Sequence, residues 1–166
     1  MLWGEWGDGF GETYVKRMFS MISRNVSVPF EFWCITDCNI EGINCVELPD
    51  DVASWHGRLP KFYMHSCYMP FDKGDRVIFF DLDMIITANI DNMILYDGSF
   101  CGVKAHNNKV HHVDGSLLSF VYGNTEFLWE FVSENLGVCS NYYHGNERWI
   151  LRDLLDSYDY WQDIFP

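Results

Sequence analysis

The sequence predicts one α/β domain over residues 1–166, with a mostly parallel central sheet flanked by helices. Three observations lead there. Strand-like and helix-like segments alternate through the first half, the pattern of βαβ units. Val77 to Phe80 is a short uninterrupted apolar run, as expected of a strand covered on both faces inside a parallel sheet. The chain has 166 residues, 48% of them hydrophobic, which is enough for one proper core and too apolar for disorder.

The elements follow in order. Met1 and Leu2 read as the remnant of a first strand, and the Gly- and aromatic-rich stretch through Gly11 reads as the loop after it. From Thr13 to Asn25, Tyr14, Val15, Met18, Phe19 and Ile22 keep helical spacing, with Lys16, Arg17 and Arg24 on the opposite face. Phe30 to Ile35 and Cys45 to Leu48 are strands, the first ending at Thr36-Asp37. Asp50 to Leu59 is loop-like, and Pro60 suits the first turn of a helix running to about Tyr68. Pro70 and the Asp72-Lys73-Gly74-Asp75 turn lead into the Arg76 strand. A short helix is expected over Ile90–Tyr96, and strands over Phe100–Lys104 and Ser116–Val121. Amphipathic helices are expected over Thr125–Leu136 and Glu147–Tyr158.

A formal net charge of −13 repels nucleic acid over most of the surface, so no nucleic-acid partner is expected. A phosphate-bearing small molecule stays compatible with it, because a metal ion and a few local cations reverse the field at one site. No apolar segment approaches the roughly 20 residues of a membrane span, so no transmembrane segment is expected. Aromatic residues reach 17%, a load that supplies stacking surfaces as well as core. The six cysteines form no C-x-x-C pair, and several lie in apolar runs such as Phe32-Trp33-Cys34-Ile35. They read as reduced, buried thiols of a cytoplasmic protein.

The residues with the clearest chemistry are Asp81 and Asp83, spaced i, i+2 after the apolar strand. In an extended backbone both side chains project the same way. Hard oxygen ligands at the carboxyl end of a central strand stand where open α/β sheets bind ligands, which points to a divalent metal gripping an anionic substrate. The plainer reading is a strand that ends in a solvated acidic turn. His111 and His112, adjacent before a strand, read as part of an exposed polar loop rather than as metal ligands.

An ordered set of segments carries a resemblance. These are Trp3-Gly4 with Tyr14-Val15, Cys34-Ile35-Thr36-Asp37, Gly57-Arg58-Leu59-Pro60-Lys61 and Val77-Ile78-Phe79-Phe80-Asp81-Leu82-Asp83. Gly115-Ser116-Leu117-Leu118-Ser119-Phe120 and His144-Gly145-Asn146-Glu147-Arg148-Trp149 complete it. The chain resembles the small glycosyltransferases of the GT-A (Rossmann-like) fold, similar to glycosyltransferase family 8 and related bacterial and phage-like transferases, shortened at both ends. The resemblance implies transfer of a sugar from a nucleotide-diphospho-sugar, UDP-linked by family habit, to an acceptor hydroxyl of a saccharide, lipid-linked or protein acceptor. It implies Mn²⁺ or Mg²⁺ on Asp81 and Asp83, where the ion acts as a Lewis acid on the departing diphosphate. It puts Thr36 and Asp37 at the nucleobase, with Trp3 or Tyr14 stacked on it, and Lys61 at the phosphates or sugar. Asp83, Asp114 and Glu147 become the candidate catalytic carboxylates. Two departures stand out: Asp114 takes the place of an Asn at the sugar pocket, and Asn146-Glu147 replaces an Asp-Gln pair. Two alternatives accompany this reading. Phe79-Phe80-Asp81-Leu82-Asp83 also resembles the nucleophile strand of haloacid-dehalogenase-like phosphatases, in which Asp81 attacks phosphorus and Asp83 is the acid/base. That family's Gly-Thr after the second Asp is Met84-Ile85 here. The other alternative is a nucleotide-sugar-binding domain with impaired turnover.

Overall fold

A computed structural model describes residues 11–105 and 112–165. The first helix, α1 (Glu12–Asn25), turns Val15, Met18 and Ile22 inward, as its periodicity predicts. Strands β1 (Trp33–Thr36) and β2 (Asn44–Glu47) pair in parallel, Cys34 opposite Cys45. The segment read as a loop contains a single helical turn, α2 (Asp50–Ala53). The helix expected from Pro60 is a 3₁₀-helix, Leu59–His65. Its Phe62, Tyr63, Met64 and His65 are all buried, so packing on nearly every side sets its tight winding rather than an amphipathic stripe.

Strand β3 (Arg76–Phe80) leads through the short helix α3 (Asp91–Ile94) to β4 (Phe100–Lys104) and the long β5 (Val113–Val121). Helices α4 (Glu126–Glu134), α5 (Leu136–Asn141) and α6 (Glu147–Leu154) follow, then β6 (Asp159–Tyr160) and α7 (Trp161–Ile164). The described strands make two sheets, β1-β2 and β3-β5-β4-β6. The molecule is therefore α/β with mixed sheets, which corrects the expected mostly parallel one. β5 runs antiparallel to both β3 and β4, while β4 and β6 are parallel. Chain length explains the reversal. Only residues 105–112 separate β4 from β5, and a parallel neighbour needs a crossover of about a dozen residues or more.

β3 lies at the edge of the four-stranded sheet rather than at its centre, and of its residues only Phe79 is fully buried. Both its faces are nonetheless packed. Val77 and Phe79 join the main core with Leu59, Phe62, Phe120, Leu128 and Ile150. Ile78 and Phe80 face the opposite way, toward Cys101, Leu117 and Trp161. Phe80, Leu82, Met84 and Ile86 also pack on the cluster formed by α1 and β1. The end of β3 is thus the seam where the two sheets' cores meet.

Further differences concern individual side chains. His112 is buried just before β5, not on an exposed loop, because the β4–β5 connection starts the sheet there: the Ala105 N–H donates to its carbonyl. His111 lies outside the described residues. The six cysteines are free thiols, but Cys38 and Cys67 are exposed while Cys34, Cys101 and Cys139 are buried. Burial pushes the Cys34 thiol up to about 11 and that of Cys101 up to about 12, so both stay protonated and inert. Among the described residues no helix is long and apolar enough to cross a membrane.

Candidate functional site

Strand β3 stops at Phe80, and Asp81-Leu82-Asp83-Met84 is a turn closed by the Met84 N–H donating to the Asp81 carbonyl at 3.2 Å. The expectation that both carboxylates share one strand face is thereby corrected. Asp81 continues the alternation of β3, on the side of Phe79, and its N–H still pairs with the Ser116 carbonyl of β5 at 2.8 Å. Asp83 comes after the chain has turned, and is exposed. The two carboxylates still feel each other. Burial raises the Asp81 carboxyl above its ordinary range and the charge of Asp83 adds to that, while Lys61 and Arg58 oppose the shift.

Lys61 reaches Asp81 from the 3₁₀-helix. Its Nζ donates to both carboxylate oxygens, at 2.6 and 2.7 Å, and lies 5.4 Å from the centre of the Phe79 ring. A weaker contact of 3.4 Å links it to the Gly115 carbonyl. The two side chains are 14% and 29% exposed, so the pair is shielded enough to matter energetically.

Gly115, near the start of β5, is where the other groups converge. A Cβ there would stand 2.7 Å from Glu147 Oε1, so only glycine lets the Glu147 carboxylate lie against the strand. That oxygen accepts from Arg58 at 3.0 Å. Asp114 receives the Ser116 N–H on one oxygen at 3.0 Å and Arg148 on the other at 2.5 Å. The loop carrying Arg58 is clamped to the loop before α6 by a close backbone approach. The Arg58 N–H donates to the Gly145 carbonyl, Gly57 and Gly145 both have φ 63°, and a Cβ on Gly145 would stand 2.7 Å from the His56 carbonyl oxygen. Asn146 caps α6 by accepting the Arg148 N–H.

Thr36 and Asp37 occupy the end of β1. Thr36 is buried, and its hydroxyl oxygen accepts the Cys38 N–H at 3.3 Å, a local turn that leaves Asp37 exposed. Both line a cleft of about 270 Å³ together with Val15, Cys34, Ile40 and Leu82. Leu82 sits between Asp81 and Asp83, so the cleft runs from the end of β1 to the carboxylate turn. Tyr14 lies on α1 with the Arg17 guanidinium 5.6 Å from its ring centre, and Trp3 lies outside the described residues.

The structure therefore brings Lys61, Asp81 and Glu147 around Gly115, with Asp114 next to it on β5, while Asp83 is exposed in the turn after Asp81 and Thr36-Asp37 line the cleft that Leu82 shares. Arg148 has a larger part than sequence reasoning gave it, as the partner of Asp114; its place beside Glu147 in the helix-opening motif was the available signal. His65 was missed altogether, since a single His inside Phe62-Tyr63-Met64-His65 carries no pattern. Among the described residues no group of three or more His, Cys, Asp or Glu is placed to hold a metal ion. Neither a known protein family, nor a curated protein, nor a solved structure matches the chain.

Proposed function

We propose that this domain is a metal-dependent glycosyltransferase of GT-A type that binds a nucleotide-diphospho-sugar, UDP-linked by preference, and transfers the sugar to a hydroxyl acceptor. The observation that carries the reading is the position of Leu82. It makes one wall of a cleft ending at Thr36-Asp37 and is flanked by the carboxylates best suited to a diphosphate-bound cation. A volume of about 270 Å³ suits a base and part of a ribose, a little under the usual range for small-molecule pockets.

Mg²⁺ and Mn²⁺ are commonly held by one or two carboxylates with substrate phosphates completing the shell, so Asp83, and Asp81 once Lys61 has left its two oxygens, would be the residues to hold the ion. When bound, the ion neutralises the charge that gathers on the departing diphosphate. Lys61 exchanges partners in the process. In the structure its ammonium neutralises Asp81; a bound donor would draw it from that carboxylate to a phosphate oxygen. Arg58 and Arg148 pair with Glu147 and Asp114 beside Gly115, and on this reading those two carboxylates serve the sugar and acceptor. Asp114, partly exposed, is the better candidate to take the acceptor's proton, because Glu147, although likewise paired with an arginine, is buried.

That same burial of Glu147, with Asn146 used as a helix cap, favours a second reading: a domain that binds nucleotide sugars without turnover. A thermal-shift screen of nucleotide sugars with and without Mn²⁺, followed by a donor-hydrolysis assay on the hits, separates them. Stabilisation plus release of free nucleoside diphosphate supports transfer. Stabilisation without release supports the binding domain, and no stabilisation by any nucleotide sugar refutes both.

A further inference from the structure

The Lys61 ammonium stands where a cation shared by both oxygens of Asp81 has to stand. Its Nζ is 2.6 Å from one carboxylate oxygen and 2.7 Å from the other, so it takes the lone pairs that the two oxygens aim at a common point. The lysine side of the contact is enclosed as well. Nζ lies 5.4 Å from the centre of the Phe79 ring and 3.4 Å from the Gly115 carbonyl oxygen, and the side chain is 14% exposed. An ammonium so shielded gives up one anion only for another. The neighbouring carboxylates are already engaged, Glu147 by Arg58 and Asp114 by Arg148.

Charge decides what can open this contact. The pairs Arg58–Glu147, Lys61–Asp81 and Arg148–Asp114 cancel one to one, and exposed Asp83 adds one negative charge. A divalent ion arriving alone meets that single uncompensated charge, and has to displace an ammonium whose other carboxylate neighbours are already paired. An ion that arrives with a diphosphate brings the missing anion. Lys61 then turns to a phosphate oxygen in a charge-assisted hydrogen bond, and both oxygens of Asp81 become available. We propose that Lys61 is a built-in stand-in for the divalent cation, which keeps Asp81 closed to the free ion and opens it to an ion accompanied by a diphosphate. Ion and nucleotide bind with positive coupling, each raising the affinity for the other by the same factor. The device presupposes the nucleotide-sugar reading of the site and adds an order of binding to it, in which donor and ion enter together.

The test uses Mn²⁺ alone and Mn²⁺ with UDP, read by water-proton relaxation, which reports ion held on the slowly tumbling protein rather than ion on free nucleotide. The unmodified chain is expected to bind Mn²⁺ alone weakly, and roughly tenfold or more tightly with UDP present. Lys61→Gln is expected to bind Mn²⁺ alone roughly tenfold more tightly than the unmodified chain does, and to lose most of the enhancement by UDP. Adding Asp81→Asn to Lys61→Gln abolishes that gain, because the ion it reports is on Asp81. Melting temperatures taken alongside establish that each variant is folded during the titration. Unchanged Mn²⁺ affinity in Lys61→Gln, with UDP-dependent binding intact in the unmodified chain, overturns the proposal and leaves the nucleotide-sugar reading standing. A gain in Lys61→Gln with no effect of UDP on either protein supports the closure of Asp81 by Lys61 and refutes the nucleotide-sugar reading. If Lys61→Gln does not fold, the unmodified chain decides: Mn²⁺ held equally tightly with and without UDP overturns the proposal.

Discussion

Acidification tests the burial of His65 quantitatively. The imidazole is enclosed between the rings of Phe120 and Phe62, at centroid distances of 4.4 and 6.1 Å, and its pKa falls from 6.5 to about 3 by desolvation. In the unfolded chain it titrates near 6.5, so between pH 6.5 and 3 the unfolded state binds the extra proton. The stabilisation is fully present above pH 6.5 and is lost as the pH falls toward 3. Going from pH 7.5 to 5.0 traverses about 1.5 units of that window, which at 1.36 kcal/mol per unit amounts to about 2 kcal/mol. Urea unfolding at pH 7.5, 6.0 and 5.0 measures it, with His65→Phe as the reference. Phenylalanine keeps the ring contacts and removes the titration, so the variant, whatever its stability at pH 7.5, is expected to lose about 2 kcal/mol less on acidification. Parallel pH slopes for the two proteins would refute the argument that His65 is buried neutral.

Three substitutions probe the surrounding geometry. Lys61→Met leaves Asp81 shielded and without its counter-ion, so stability at pH 7 is expected to fall by about 1–3 kcal/mol, less than for a fully buried pair; urea titration measures this, and the deficit should shrink at low pH as Asp81 takes up a proton. Gly115→Ala drives a Cβ to 2.7 Å from Glu147 Oε1 and 2.8 Å from its Cγ, forcing the carboxylate off Arg58. An overpacking cost of about 1–3 kcal/mol is expected, read as a lower melting temperature. Gly145→Ala combines φ 63° with a contact of 2.7 Å to the rigid His56 carbonyl, and is expected to lower the melting temperature and to increase proteolysis between Trp55 and Leu59.

How much of this was legible depended on whether the determinant was local. The helix α1 and the strands β3 and β4 follow from periodicity and turn residues within a dozen positions, and their ends fall within a residue or two of expectation. Sheet polarity differs from expectation because the alternation of the first half does not extend past Phe100, where the short β4–β5 connection rules out a crossover. The 3₁₀ winding of Leu59–His65 reflects tertiary enclosure, which Pro60 alone does not convey. In the site, Lys61 and Asp81 lie 20 residues apart and were both named from sequence, yet their direct contact was not foreseen. Arg58 and Glu147 are 89 residues apart, and their pairing depends on two left-handed glycines meeting across loops, which no local pattern encodes. The turn at Asp81-Leu82-Asp83 was the plainer reading of that tripeptide, and the backbone adopts it.

The central claim, that Asp81 and Asp83 on either side of Leu82 hold a divalent cation beneath a nucleotide's diphosphate, is tested most directly by titration calorimetry of UDP in the presence and absence of Mn²⁺, on the unmodified chain and on Asp83→Ala. The account predicts Mn²⁺-dependent binding to the former and its loss in the variant, whose melting temperature stays unchanged because Asp83 is exposed and outside the core. UDP affinity indifferent to Mn²⁺, or equal in the two proteins, would contradict it.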